Sequence, residues 1–166
     1  MALIEEGRLE IFLNETAAKG YAWTRNGMKN PSITISADGF GRIAAVAISN
    51  QAKLSPEMVG DNPELYISVD VHSSAREVYL EDAQDENTRS QVQELQAREI
   101  KRQVEELLES TQRQGYDVLR LSLLMQQRYP DYYEANRENW EEAVKSFGYD
   151  VEVTCQIDRF GVRNVF

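Results

Sequence analysis

Cysteine and histidine are almost missing from this sequence, which has one of each in 166 residues. A single cysteine excludes a disulfide framework inside the chain, and one cysteine with one histidine excludes a closed zinc site of the usual type. Long apolar runs are missing as well. Residues 43–48 form one of the longest, far below the roughly 20 residues that a membrane-spanning helix needs. The first eight residues, MALIEEGR, contain neither the basic nor the apolar region of a signal peptide.

Positive charge is also scarce, with 18 Lys and Arg against 28 Asp and Glu and a net charge of -10. No stripe of basic residues interrupts this acidity, so we predict no binding to nucleic acid and no charge-driven binding to a membrane surface. Hydrophobic residues make up 42% of the chain, enough for a folded core. The length predicts one domain over residues 1–166, with residues 1–8 as a lead-in or an interdomain linker.

The first half of the chain predicts a short helix followed by strands. A strand is expected at residues 9–13, and Asn14 can cap a helix over residues 15–25 that ends at Asn26 and Gly27. Residues 32–36 and 42–49 alternate with period two around an Asp-Gly turn at residues 38–41, which indicates a β-hairpin. A loop over residues 54–63 then leads to a third strand. One face of that strand is apolar, at Leu65, Ile67, Val69 and Val71, and its other face carries Tyr66, Ser68, Asp70 and His72.

The second half predicts a long helix over residues 86–114, without Gly or Pro until Gly115. Its apolar stripe is Val92, Leu95, Ile100, Val104, Leu107, Leu108 and Thr111, and Glu94–Arg98 and Glu109–Arg113 are expected ion pairs one turn apart.

Asp117 is predicted to cap the next helix, which Tyr129 and Pro130 close. A third helix over residues 131–147 precedes a strand over residues 149–157, in which apolar and polar residues alternate. One buried and one wet face favour an antiparallel sheet. The predicted class is α+β: an antiparallel sheet of about four strands, with a long helix and two to three shorter helices packed on one side.

No group of residues in the sequence forms a recognisable catalytic or metal site. His72 lies on a polar strand face without an identifiable orienting partner, and Cys155 is expected in the core. The acidic residues Glu81, Asp82, Asp85 and Glu86 lack the ligand spacing of a calcium loop and are typical of a helix N-terminus. We therefore predict no catalytic residue, no cofactor and no metal.

Aromatic residues are concentrated in and before the third predicted helix, at Tyr129, Tyr132, Tyr133, Trp140 and Phe147. Most are expected to pack into the core. Tyr132 and Tyr133 are the candidates for contact with a partner protein, because aromatic side chains are enriched at the centres of interfaces.

The order of several motifs is similar to that of a known family. The long charged helix is followed by GYDV at residues 115–118, QRYP at 127–130, Asn139-Trp140 and a strand that ends in Arg159-Phe160-Gly161. The first half adds GYAW at residues 20–23. This arrangement resembles the C-terminal domain of the Ger(x)C, or GerAC-like, spore germination proteins, which are the C subunits of germinant receptors.

The resemblance marks Trp23, Asp117, Arg128, Pro130, Trp140 and Gly161 as family motif positions. Their expected roles are structural: Asp117 caps, Pro130 ends a helix, Trp140 fills the space between helix and sheet, and Gly161 allows a turn.

The resemblance also implies a non-enzymatic interaction domain of a lipoprotein subunit, which lies at the spore inner membrane and has the integral membrane subunits of the receptor as its partners. Contact with the membrane would be made only through a lipid anchor that this chain lacks.

The residues themselves leave two other hypotheses open. One is a small-molecule module that binds the germinant through loops at 51–62 and 73–84, and the other is a hydrolase centred on His72.

Overall fold

The computed structural model describes residues 1–5, 8–26, 31–37, 41–78 and 86–162. The strands are β1 (Ala2–Glu5), β2 (Arg8–Phe12), β3 (Ser32–Ala37), β4 (Gly41–Val59), β5 (Asn62–Val78) and β6 (Gly148–Val162). The helices are α1 (Glu15–Trp23), α2 (Glu86–Gln112), α3 (Leu121–Arg128), α4 (Pro130–Asn136) and α5 (Trp140–Ser146), with a 3-10 turn at Arg137–Asn139 between the last two.

The main sheet has four strands in the order β3-β4-β5-β6, which confirms the predicted α+β class. The prediction of a wholly antiparallel sheet is wrong, because β6 pairs with β5 in parallel. All of the helices after α1 lie between β5 and β6 in the chain. Such a long crossover returns the chain to the same end of the sheet and permits parallel pairing. The alternation of polar and apolar residues in β6 indicates that one face of the strand is exposed to solvent. It does not indicate whether the neighbouring strand runs parallel or antiparallel.

The predicted loop over residues 54–63 is also wrong, because β4 and β5 form one long hairpin that turns at Gly60. Gly60 has a φ of 64°, a conformation that glycine adopts at little cost. The pairing register shifts between Ala47 and Ser49, and the buried positions change there from odd to even numbers. This bulge interrupts the period-two pattern, which explains why the sequence indicates a strand end near residue 49.

Pro56 lies inside β4 and still fits the strand, although it cannot donate a backbone hydrogen bond. β3 pairs only with residues 41–46 of β4, so beyond them this side of β4 is paired with no other described strand. Proline is tolerated at such an edge position.

The long helix α2 packs along one face of the sheet and supplies much of the core. The predicted stripe is confirmed: all of its residues are buried except Leu95, which is partly buried against the core. From the sheet, the apolar face of β5 is 1% exposed at each of Leu65, Ile67, Val69 and Val71. The two predicted ion pairs, Glu94–Arg98 and Glu109–Arg113, are present at 3.7 Å.

The short helix α1 crosses α2 with almost no space between the two backbones. Asn14 caps α1 as predicted, since its side chain accepts a hydrogen bond from the backbone N–H of Ala17 at 2.8 Å. A methyl group placed on Gly20 would lie 2.0 Å from the carbonyl oxygen of Gln103. Glycine is therefore required here for close approach of the helices.

The helix predicted over residues 131–147 is divided into α4, the 3-10 turn and α5. Asn136 ends α4, and its side chain donates to the carbonyl of Tyr132 at 2.8 Å. Asparagine side chains compete in this way with the helical backbone bonds, so this is a place where a helix breaks easily.

The N-terminal residues contain a strand that the sequence did not indicate. β1 pairs with β2 in a separate two-stranded sheet, and the Met1 amino group donates to the carbonyl of Leu13 at 3.0 Å. Residues 38–40 of the predicted Asp-Gly turn lie outside the described residues, whereas the strands on either side pair as predicted.

Candidate interaction surface

Trp23, the first of the motif residues, lies in the core at the crossing of α1 and α2. Its side chain is 2% exposed, and its indole N–H donates to the Gln103 side chain at 2.8 Å. Asn50 of β4 donates to the Trp23 carbonyl at 3.2 Å. This buried set of contacts holds α1 against both α2 and the sheet, and it leaves Trp23 with no surface for a partner.

Asp117 organises the segment that follows α2. Its carboxylate accepts hydrogen bonds from the backbone N–H groups of Leu121 at 2.5 Å and Ser122 at 2.8 Å, both in the first turn of α3. The indole N–H of Trp140 donates to the same carboxylate at 3.0 Å. Asp117 thus caps α3 from three residues before its formal N-cap and ties α5 to that helix end.

Trp140 is half-buried at the centre of an aromatic group. Its ring makes edge-on contacts with Tyr133 at 5.4 Å and Phe147 at 6.2 Å between ring centroids. Such pairs stabilise by about 0.5–1.5 kcal/mol beyond the area they bury. Trp140 therefore joins α4 and α5 to the core.

Tyr132 and Tyr133, the predicted partner contacts, are partly buried and pack against the core. Both belong to α4, and Tyr133 also contacts the ring of Trp140. Each keeps part of its ring in solvent. Their role as partner contacts stays a prediction.

Arg128 and Pro130 mark the junction between α3 and α4. Arg128 is the last residue of α3, where the helix dipole stabilises its positive charge. Its guanidinium lies 5.9 Å from the centroid of the Tyr129 ring. Pro130 is the first residue of α4 and so begins a helix as well as ending the previous one.

The turn expected at Gly161 is wrong, because β6 continues through it to Val162. The pairing with β5 shifts between Ala75 and Val78, opposite this part of β6. Glycine inside a strand often marks such an irregularity.

A cavity of about 600 Å³ opens beside Trp140, between α5 and the segment after α2. Polar and charged residues dominate its lining, among them Asp117, Arg137, Glu138 and Glu142. The segments predicted as loops at 51–62 and 73–84 are mostly strand in the described part, where residues 51–59 belong to β4 and residues 62 and 73–78 belong to β5. Residues 79–84 lie outside the described residues.

The sheet face turned away from the helices is exposed and acidic. It carries Glu64, Asp70, Asp150 and Glu152 among other polar side chains. The pKa of Tyr66 on this face lies above its usual value, because its hydroxyl donates to Glu64 at 2.9 Å and the charges of Glu64, Glu57 and Asp150 oppose its ionisation.

His72 lies on the same face, and its Nδ1 is 3.2 Å from the Asp158 carboxylate. The sequence did not identify this partner, because the pairing of β5 with β6 brings together residues 86 positions apart. Both side chains are well exposed. The contact orients the imidazole, and its geometry matches an exposed ion pair as well as part of a catalytic group.

Cys155 is buried in β6, as predicted. Burial raises the pKa of its thiol to about 12, with a smaller contribution from the charge of Asp70.

Of the acidic patch, Glu81, Asp82 and Asp85 lie outside the described residues, and Glu86 is the first residue of α2. Across the described ranges, no three His, Cys, Asp or Glu side chains are grouped as metal ligands would be.

Comparison with known protein families assigns the chain to one of them. The family described as spore germination B3/GerAC like, C-terminal, matches residues 1–161. The chain belongs to this family. The resemblance seen in the order of the motifs is thereby confirmed, and it extends over nearly the whole sequence. No curated protein matches the chain significantly.

The GerAC-like fold of this chain is also seen in a solved structure, described as the crystal structure of the GerBC protein. The two chains superimpose with a TM-score of 0.79 over 92% of this chain, at 16% sequence identity. The similarity at this identity shows a shared fold. This chain spans 48% of the GerBC chain, so it corresponds to about half of that protein.

Proposed function

We propose that this chain is a non-enzymatic interaction domain of a germinant receptor C subunit, which helps to assemble or stabilise the receptor during nutrient-induced spore germination. The observation that carries the proposal is the family match over residues 1–161. The match to about half of the GerBC chain supports a role as one domain of a larger subunit.

The proposed partners are the integral membrane subunits of the receptor, and the proposed location is the spore inner membrane. No described helix is long and apolar enough to span a bilayer. A domain with a net charge of -10 is repelled by anionic lipid. Attachment would therefore come from a lipid anchor elsewhere in the subunit and from contacts with the membrane subunits, since one lipid chain alone holds a protein only weakly.

The surface around Tyr132 and Tyr133 is the proposed contact with these subunits. Both rings are packed on one side by the core and reach solvent on the other, so they are held in place before a partner arrives. Rigid aromatic side chains lose little entropy on binding, which is why they often dominate the binding energy of an interface.

The test uses the full-length subunit in spores. Removing the domain is expected to reduce co-purification of the subunit with the membrane subunits and to slow germination by nutrients. Tyr132→Ala and Tyr133→Ala should weaken co-purification while the domain stays folded. Tyr66→Ala on the opposite, acidic face is the matched control. Intact germination and undiminished co-purification after removal of the domain would contradict the proposal.

A second candidate function is direct binding of a small germinant. The cavity beside Trp140 supports it, because about 600 Å³ lies within the usual size of ligand pockets. Its polar lining suits a small polar molecule better than an apolar one. Screening amino acids, sugars and nucleosides by thermal shift tests this candidate, and no shift with any of them at millimolar concentration would count against it.

A further inference from the structure

A groove on the β4 side of the molecule differs in charge from the rest of the chain. It lies between α3 and β4, has a volume of about 340 Å³, and none of its lining residues is acidic. Leu54, Leu123 and Leu124 form an apolar floor, and Arg25 and Arg120 line the groove with them. On a chain with a net charge of -10, this groove is a local cationic site.

The two arginines keep their charge available. Arg25 has its guanidinium 5.7 Å from the Tyr21 ring centroid, a contact that leaves the N–H groups free to bind an anion. Within the described residues, no ion pair joins Arg25 or Arg120 to a carboxylate. Both side chains are exposed.

Arg120 also occupies a backbone conformation that costs energy. It is the only non-glycine residue with a positive φ in the described chain, at φ 59° and ψ 46°. Glycine or asparagine adopts this region more easily than arginine does. A strained residue at a surface groove is a sign that its side chain has a use, because strain is often retained at binding positions.

One leucine of the apolar floor is exposed to solvent. Leu123 is 45% exposed, although it lies on a helix with an otherwise buried side at Leu121 and Met125. An exposed leucine beside two free arginines fits a ligand that carries both apolar and negatively charged groups.

The geometry points to a docking groove for an acidic segment of another protein, in which carboxylates alternate with apolar side chains. The carboxylates would accept charge-assisted hydrogen bonds from Arg25 and Arg120, and the apolar side chains would cover Leu54 and Leu123. Charge complementarity favours this occupant, because two arginines and no acidic residue line the groove. This assignment is independent of the proposed role in a receptor.

The test measures the binding of two synthetic peptides to the chain by fluorescence anisotropy. One alternates leucine with glutamate over eight residues, and the other alternates leucine with lysine. We expect saturable binding of the Leu–Glu peptide alone, weakening as the salt concentration rises.

Substitutions then locate the binding. Arg25→Gln and Arg120→Gln should each raise the Kd about 3- to 5-fold, as expected for losing one partly exposed ion pair. Leu123→Ser should raise it about 10-fold through lost apolar contact. The matched controls are Arg113→Gln on α2 and Val59→Ser at the tip of the β4–β5 hairpin, which is 49% exposed.

Three results would overturn the assignment. The first is no saturable binding of the Leu–Glu peptide, or equal binding of the Leu–Lys peptide. The second is a control variant that weakens binding as much as Arg120→Gln does. The third is a concentration-dependent dimer in sedimentation that Arg120→Gln abolishes, which would show that the occupant is a second copy.

Discussion

Replacing Gly20 by alanine tests how closely α1 and α2 approach each other. In a helix without neighbours, this change stabilises by about 1 kcal/mol, because alanine loses less backbone entropy than glycine. Here the new methyl group would lie 2.0 Å from the Gln103 carbonyl oxygen and 2.6 Å from its carbon. Helix propensity alone therefore predicts a higher free energy of unfolding for the variant, whereas the clash with Gln103 predicts a lower one.

The size of the loss follows from what has to move. Ordinary contact begins at about 3.4 Å, and the obstacle is backbone in the middle of a long helix, which cannot turn aside as a side chain can. α1 would have to shift away from α2, and the 2.8 Å hydrogen bond from Trp23 to Gln103 would weaken. Overpacking of a core costs about 1–3 kcal/mol, and we expect a net loss of about 3 kcal/mol with backbone as the obstacle.

Urea unfolding followed by tryptophan fluorescence measures this loss, since Trp23 lies at the contact and is 2% exposed. A loss of about 3 kcal/mol corresponds to a decrease in Tm of roughly 6–12 °C for a domain of this size. Gly148→Ala is the matched control, because its methyl group would meet only the flexible Glu64 side chain at 3.2 Å. The control should change stability by less than about 0.5 kcal/mol. A Gly20→Ala protein as stable as the original, or more stable, would refute the close approach.

Three further predictions concern other contacts. Trp140→Phe should lower the free energy of unfolding by about 1–2 kcal/mol, because it removes the hydrogen bond to the Asp117 carboxylate while keeping a ring. Combined with Asp117→Asn, the two losses should not add, and strict additivity in a double-mutant cycle would argue against the bond. At pH 8 the Cys155 thiol should resist a thiol reagent until the chain is unfolded, since its pKa of about 12 leaves almost no thiolate. Because unfolding lets this thiol ionise at its ordinary pKa, stability should decline above about pH 9 and less so in Cys155→Ala. Arg120→Gly should be about 1 kcal/mol more stable than Arg120→Ala, since only glycine relieves the positive φ, and equal stabilities would contradict the strain.

Local patterns predicted the elements whose rules depend on neighbouring residues alone. The stripe of α2, the cap at Asn14 and the apolar face of β5 all lie where the sequence placed them. Each depends on a spacing of two to four residues, which a sequence displays directly. The end of β4 was missed for a related reason, because a single bulge near Ile48 shifts the alternation by one residue.

The sites were less predictable than the elements. Asp117 as a helix cap is visible in the sequence, but its bond to Trp140 joins residues 23 positions apart. His72 and Asp158 meet only because β6 lies beside β5. The cationic groove is the clearest example: Arg25, Leu54 and Arg120 come from three distant segments, and nothing in their local sequence marks them as neighbours.

By itself, the sequence determined the α+β class, the acidic charge and the order of motifs that identifies the GerAC-like family. The class and the charge follow from periodicity and composition, and the family is recognised by the resemblance of its motif order. Only the tertiary structure decided the parallel pairing of β6, the contact of Gly20 with α2 and the surfaces open to partners. Those features depend on the path of the chain between distant segments, and the physical rules of local structure leave that path undetermined until the core is packed.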